Sequence, residues 1–194
     1  VAGESSDLFA ALALEQTSTG FYTRMIDTLR DIVNIAGGFA LLVACSVPIL
    51  MLVVLVKLSG PGPVFFSQER LGRNRKPFKL LKFRTMRVDA EKNGPQWAAK
   101  TDSRVTKLGH VMRAVHLDEM PQVLNLCRGE INFVGPRPMR EYFANLLAEE
   151  ILDLDTRFLV KPGLTGWAQT LGPYGENIEE QKEKFDFDIF YIGI

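Results

Sequence analysis

Asp118 and Glu119 stand side by side in Leu117-Asp118-Glu119-Met120-Pro121, with Arg113 and His116 just before them and Gly135-Pro136-Arg137-Pro138 further on. Pro121 fits the first turn of a helix, where its missing N–H costs nothing, so the two acids are expected at a helix start. Two uses are open for them there. Acids at helix starts commonly do no more than cap the chain and complement the helix dipole. The other use is phosphoryl transfer through a metal, in which one carboxylate attacks or activates and the other holds Mg²⁺ by oxygen ligation. That chemistry needs fixed cations, and Arg137, held in a rigid turn between two prolines, is the residue type that grips phosphate at two points. A lone histidine beside a helix is more often packed or simply exposed, so His116 is not placed among the catalytic residues.

More cations lie upstream. The chain has 23 basic and 23 acidic residues, no net charge, and therefore lacks the basic surplus that phosphate-backbone affinity demands of a nucleic-acid binder. Yet charge is sorted by position: residues 57–87 carry nine basic side chains (Lys57, Arg70, Arg73, Arg75, Lys76, Lys79, Lys82, Arg84, Arg87) and one acid, Glu69. Within this stretch Val64-Phe65-Phe66 and residues 78–84 read as strands around a turn at Gly72-Arg73-Asn74-Arg75, giving a basic hairpin. Strand alternation puts Lys82 and Arg84 on one face. Attraction to anionic headgroups explains the bulk charge; a site for substrate phosphate explains the fixed pair, and both remain open.

The element that must carry these groups is apolar. Ile32 to Val56 is a run of 25 residues without a formal charge, flanked by Asp31 and Lys57. As a helix it would reach roughly 38 Å, enough for a hydrocarbon core of about 30 Å. It is too long for the apolar part of a cleaved signal peptide. Pro48 lies within it and should bend it, with the Ser46 hydroxyl available to a freed carbonyl. A kinked span and a helix-break-helix that returns to its own side are both compatible with that bend. Cys45 and Cys127 show no metal-binding or disulfide spacing. A chain that starts at Val1 reads as part of something longer.

Taken in order, the membrane segment with its central proline, Ser-Gly-Pro-Gly-Pro-Val-Phe-Phe-Ser-Gln-Glu-Arg-Leu-Gly-Arg-Asn (59–74), Lys-Phe-Arg-Thr-Met (82–86), Leu-Asp-Glu-Met-Pro-Gln-Val-Leu-Asn (117–125), Gly-Glu-Ile-Asn-Phe-Val-Gly-Pro-Arg-Pro (129–138) and Lys-Pro-Gly-Leu-Thr-Gly-Trp-Ala-Gln (161–169) resemble the bacterial sugar transferases, the monotopic phosphoglycosyl transferases. The likeness runs from about Arg24 to Ile194. Each motif is weak alone, whereas five in sequence are specific.

The resemblance implies transfer of a sugar-1-phosphate from a UDP-sugar to polyprenol (undecaprenyl) phosphate, with release of UMP, at the start of exopolysaccharide, capsule, O-antigen or other glycoconjugate synthesis. It implies Asp118 as the nucleophile that carries a phospho-aspartyl intermediate and Glu119 as a ligand of Mg²⁺. Lys82, Arg84, Arg113, Arg137 and Asp188 become candidates for phosphate, nucleotide or metal contacts. It further implies an α+β, mostly helical membrane-associated domain with interfacial amphipathic helices, a short β-hairpin and a re-entrant membrane helix broken at a Ser-Pro pair, here Ser46-Val47-Pro48. The expected organisation is an N-terminal segment or linker (1–20), the re-entrant helix (21–59) and a catalytic domain (60–194) on the cytoplasmic face of the bacterial inner membrane. Membrane lipid and later glycosyltransferases are the expected partners, with room for a homodimer. Trp167 and Tyr174 are open to stacking on uracil or sugar as well as to core packing, and the apolar residues of 139–154 to the interface as well as to the core. A membrane-anchored scaffold whose acids are only caps, and a metal-dependent phosphatase acting on the lipid phosphate, are the competing classes.

Overall fold

In the computed structural model, which describes residues 2–90, 92, 102–173 and 177–193 and side chains from residue 24 onward, the charge-free run belongs to one helix, α1 (Ala2–Leu58). Among the described residues it is the one helix long and apolar enough to cross a membrane. One stripe faces the rest of the chain: Asn34, Gly38, Leu52 and Val56 are buried. The opposite side is apolar and exposed, with Phe39, Val43, Val47, Leu50, Met51, Val54 and Leu58 outward. A helix this apolar on its open side needs lipid or a partner against it.

The helix-break-helix expected at Ser46-Val47-Pro48 is corrected in one respect: helical residues run through Pro48 without a non-helical interval. Ser46 Oγ donates to the Val43 carbonyl at 2.8 Å, so a side chain takes up an acceptor beside the proline. The backbone of residues 2–20 is helical and continuous with the rest of α1.

Gly37 and Gly38 let the domain close on α1. A Cβ at Gly37 would stand 2.7 Å from the Phe133 ring, and one at Gly38 would stand 3.0 Å from Leu126 Cβ. The N-terminal half of the apolar run is then pinned by polar contacts: Asp27 to Arg73 (3.1 Å), Asp31 to Lys161 (2.7 Å), and Asn34 Oδ1 accepting from the Phe133 amide (2.7 Å). Its C-terminal end enters a core in which Leu52 and Val56 meet Phe83 and Met112.

Past the breakers at residues 60–63, β1 (Phe65–Leu71) pairs antiparallel with β2 (Pro77–Phe83), with Glu69 opposite Lys79 and Phe66 opposite Lys82. This is the expected hairpin. Its tip, Arg73–Arg75, is a 3-10 turn. Helix α2 (Lys107–Ala114) is capped by Thr106, whose hydroxyl accepts from Gly109 N, and a 3-10 turn, Leu117–Gln122, leads into the short α3 (Val123–Cys127). Strand β3 (Asn132–Val134) pairs parallel with β4 (Gly163–Thr165). Between them lie α4 (Glu141–Ala148) and a 3-10 turn, Leu154–Phe158; after them come α5 (Trp167–Thr170) and α6 (Ile178–Gly193). Leu147, Ile151 and Leu154 are buried and pack with Phe185 of α6, while Tyr142 stays exposed, so residues 139–154 serve the core along one side. The class is α+β and mostly helical, as expected.

Candidate active site

The acids sit in the 3-10 turn Leu117–Gln122 and not at the N-cap of a longer helix. His116, which precedes them, has φ 57 and ψ 20, a left-handed conformation uncommon for a side chain other than glycine, and its carbonyl accepts from Glu119 N at 3.1 Å. The chain thus reverses just before the pair. Val123 and Pro121 anchor the turn in the interior, and β2 packs across it. Asp118 itself is buried, at 7% exposure.

Lys82, projecting from β2, reaches Glu119 Oε1 at 2.6 Å, and Arg137 reaches the same oxygen at 3.0 Å. Arg113, on the last turn of α2, donates from Nε to Thr85 Oγ1 at 2.9 Å. Lys82 and Arg137 thus meet on Glu119, and Lys82 and Arg113 are near enough to Asp118 to bias its ionisation. Burial pushes the Asp118 carboxyl up; Lys82 and Arg113 pull it down and Glu119 pushes it further up, and the net direction is upward. Burial also pushes Glu119 up, but Lys82 and Arg137 outweigh that and hold it at about 2. Lys82 is lowered by burial first and by Arg137 next, against the opposing pull of Glu119. Two adjacent carboxylates are thus differentiated: one is locked as an anion among cations, the other is buried and more basic. A small cleft opens beside them, lined by Arg70, Lys82, Gln122, Arg137 and Gly163.

Two anticipated residues pair with groups other than the acid pair and its cations. Arg84 falls just past the end of β2 and turns away from Lys82, its guanidinium donating to the carbonyls of Val56 (3.2 Å), Gly60 (2.9 Å) and Pro61 (2.8 Å) at the end of α1. It satisfies helix-terminal acceptors that two neighbouring prolines cannot help to satisfy. Asp188, on α6, pairs with Arg157 at 2.9 Å, both side chains being buried. Ser46 and Pro48 are in α1, distant from the acids in sequence. Trp167 is half exposed and meets Phe190 edge to face at 5.5 Å; Tyr174 lies outside the described residues. Sequence reasoning passed over Arg157, Arg70, Gln122 and Thr85. Arg70, Thr85 and Gln122 stand inside the motifs at 59–74, 82–86 and 117–125, which were the available signal; Arg157 stands in none, and only the fold brings it to the Arg137 loop.

The donor set bears on Mg²⁺. Among the described residues no three His, Cys, Asp or Glu side chains converge as a protein cage. Mg²⁺ does not need one, since it keeps waters and phosphate oxygens and takes one or two carboxylates. Lys82 and Arg137 both bind Oε1 of Glu119, which leaves Oε2 on the same carboxylate for a cation. The residues fit.

An acid pair with opposed electrostatic settings is thus framed by cations in a domain packed against one long apolar helix. Residues 24–193 match the family model of the bacterial sugar transferases, and the chain belongs to that family. It is 36% identical over 172 residues to a UDP-N-acetylgalactosamine-undecaprenyl-phosphate N-acetylgalactosaminephosphotransferase of Aeromonas hydrophila, covering 89% of this chain and 39% of the relative. Against a UDP-glucose:undecaprenyl-phosphate glucose-1-phosphate transferase of Escherichia coli it is 39% identical over 186 residues, covering 92% of this chain and 38% of the relative. Against the exopolysaccharide production protein PSS of Rhizobium leguminosarum it is 34% identical over 173 residues, covering 85% and 86%. The chain thus spans under two-fifths of the length of the first two relatives.

Proposed function

We propose that this chain transfers a sugar-1-phosphate from a UDP-sugar to polyprenol phosphate through a covalent intermediate on Asp118. In the first step an Asp118 carboxylate oxygen attacks the sugar-linked phosphorus, the bond from that phosphorus to the bridging oxygen breaks, and UMP leaves with the electron pair. In the second an oxygen of the polyprenol phosphate attacks the same phosphorus, the acyl-phosphate bond breaks, and Asp118 is regenerated. Dividing the exchange in two spares the direct meeting of two anionic substrates. The observation that carries the reading is the asymmetry of the pair: Glu119 is anchored by Lys82 and Arg137, while buried Asp118 is raised in basicity. Lys82, Arg113 and Arg137 screen the approach of phosphate and balance the charge that builds up in transfer. Glu119 would hold Mg²⁺ together with substrate phosphate oxygens, and a metal there supplies further charge neutralisation on those oxygens.

A re-entrant, monotopic arrangement on the cytoplasmic face suits this chemistry, since one substrate is dissolved and the other sits at headgroup depth. Its support is that polar residues at the start of the apolar run (Asp27, Asp31) and carbonyls at its end (Val56, Gly60) are held by the same domain. Because α1 runs unbroken, these contacts set the domain alongside the whole apolar length of the helix, which an interfacial helix accommodates and a helix crossing about 30 Å of hydrocarbon does not.

The test is incubation of the membrane-reconstituted chain with a panel of UDP-sugars, polyprenol phosphate and Mg²⁺. UMP should appear with at least one sugar, and Asp118→Asn should reduce it by three orders of magnitude or about that. Release of inorganic phosphate from the lipid without UMP would make the protein a phosphatase instead.

A further inference from the structure

The Gly-Pro-Arg-Pro loop is tied down along its main chain. Gly135 N donates to Thr165 O (2.9 Å), Pro136 O accepts from Gly163 N (2.9 Å), Pro138 O accepts from Arg70 (3.3 Å), and Met139 O accepts from Leu71 N (2.8 Å). The central acceptor, Arg137 O, takes its hydrogen bond from a side chain, the guanidinium of Arg157, at 3.0 Å. The same Arg157 nitrogen meets Asp188 Oδ2 at 2.9 Å, with the two side chains 7% and 5% exposed. A second Arg157 nitrogen lies 3.5 Å from Met139 Sδ.

From this geometry we infer that Arg157, neutralised by Asp188, is a positioning residue that fixes the main chain at residue 137 so that the Arg137 guanidinium meets Glu119 and the substrate phosphates. The inference rests on the proposed transfer reaction and adds the support behind it. Arg137 needs such support because its own side chain is 48% exposed and, among the described residues, Glu119 is its only side-chain partner. Where the exposed head points is set by where its backbone is held. The carbonyls of Pro136 and Met139 find main-chain donors, whereas that of Arg137 is met by a side chain. A buried guanidinium supplies the donor, at the cost of taking two charges out of water. Similar-sized apolar side chains would fill the space without that cost and without the hydrogen bond. Asp188 accordingly acts through Arg157, and α6 becomes a part of the active site that touches no substrate.

The experiment is a double-mutant cycle on the full chain in lipid, with Arg157→Met, Asp188→Asn, Arg137→Ala and the combinations with Arg137→Ala. Arg157→Met should lower kcat/KM for the UDP-sugar by roughly ten- to a hundredfold, the scale of a misplaced contact group. In the Arg137→Ala background the same change should cost less than about threefold, because the group being positioned is already gone. Asp188→Asn should follow the same pattern more weakly, and Arg157→Lys, which keeps charge and one donor, should recover part of the loss. Full multiplication of the Arg157→Met and Arg137→Ala losses, or wild-type turnover in Arg157→Met, overturns the inference. Should Arg157→Met not fold, Arg157→Lys in the two backgrounds is judged by the same criterion. A second readout needs no turnover: amide exchange of Gly135, Arg137 and Met139, the residues of this loop that carry an N–H, should quicken at least about tenfold in the Arg157 variants. If wild type makes no UMP while that exchange responds, the reaction is wrong and the clamp stands; unchanged exchange removes the clamp whatever the reaction.

Discussion

Asp118 and Glu119 are neighbours in the chain and differ in what surrounds them. Glu119 is a structural anion, held at about 2 by Lys82 and Arg137 against the opposing push of burial. Asp118 is buried, and burial together with the neighbouring Glu119 outweighs the pull of Lys82 and Arg113 and pushes its carboxyl up. Lys82 is the hinge between them, because its ammonium favours ionisation of both. Removing it in Lys82→Met takes away a charge that lowers the Asp118 pKa, so that pKa rises and less Asp118 is ionised at a given pH. The acid limb of the pH–rate profile for UMP release should therefore move to higher pH, with kcat/KM down about 10²-fold or more at neutral pH. A profile of unchanged shape, scaled down uniformly, would mean that Lys82 only holds substrate.

At the scale of elements, the close approach of α1 to β3 and α3 depends on two hydrogen atoms where side chains would otherwise stand. Gly37→Leu places carbon atoms into the Phe133 ring and should cost about 1–3 kcal/mol through overpacking, read as a Tm lower by roughly 3–10 °C in detergent. An unchanged Tm would show that the contact gives way freely. The elements also show what a sequence can and cannot tell. The hairpin, the apolar run, and the joint appearance of Lys82, Arg113, Arg137 and the acid pair at one site were legible, because each follows from local alternation, breakers or motif order. Arg84 was not. Alternation assigns it to the Lys82 face, but β2 ends one residue earlier and unsatisfied carbonyls at the end of α1 claim the guanidinium. Asp188 was legible as a candidate and its pairing was not, because its partner lies 31 positions away on a different element. Helix capping by the acids failed for a local reason: α3 is only five residues long, and a 3-10 turn takes the place of its first turn.

For the whole molecule, the open apolar side of α1 and the polar grip on both of its ends point the same way. In the proposed arrangement the domain that holds α1 lies at the membrane surface, with the acid pair at the depth where a lipid phosphate resides. Tags placed before Phe21 and after Ile194 should report the same side of the membrane; opposite sides would make α1 a span and require the acids to reach the lipid in another way. The chemistry is separable from that question. Its most direct measurement is the intact mass of the protein after exposure to its UDP-sugar and Mg²⁺ without polyprenol phosphate. The account predicts an added mass equal to one sugar phosphate on Asp118, discharged when polyprenol phosphate is supplied and absent from Asp118→Asn. UMP released only when both substrates are present, with no adduct at any time, would contradict it.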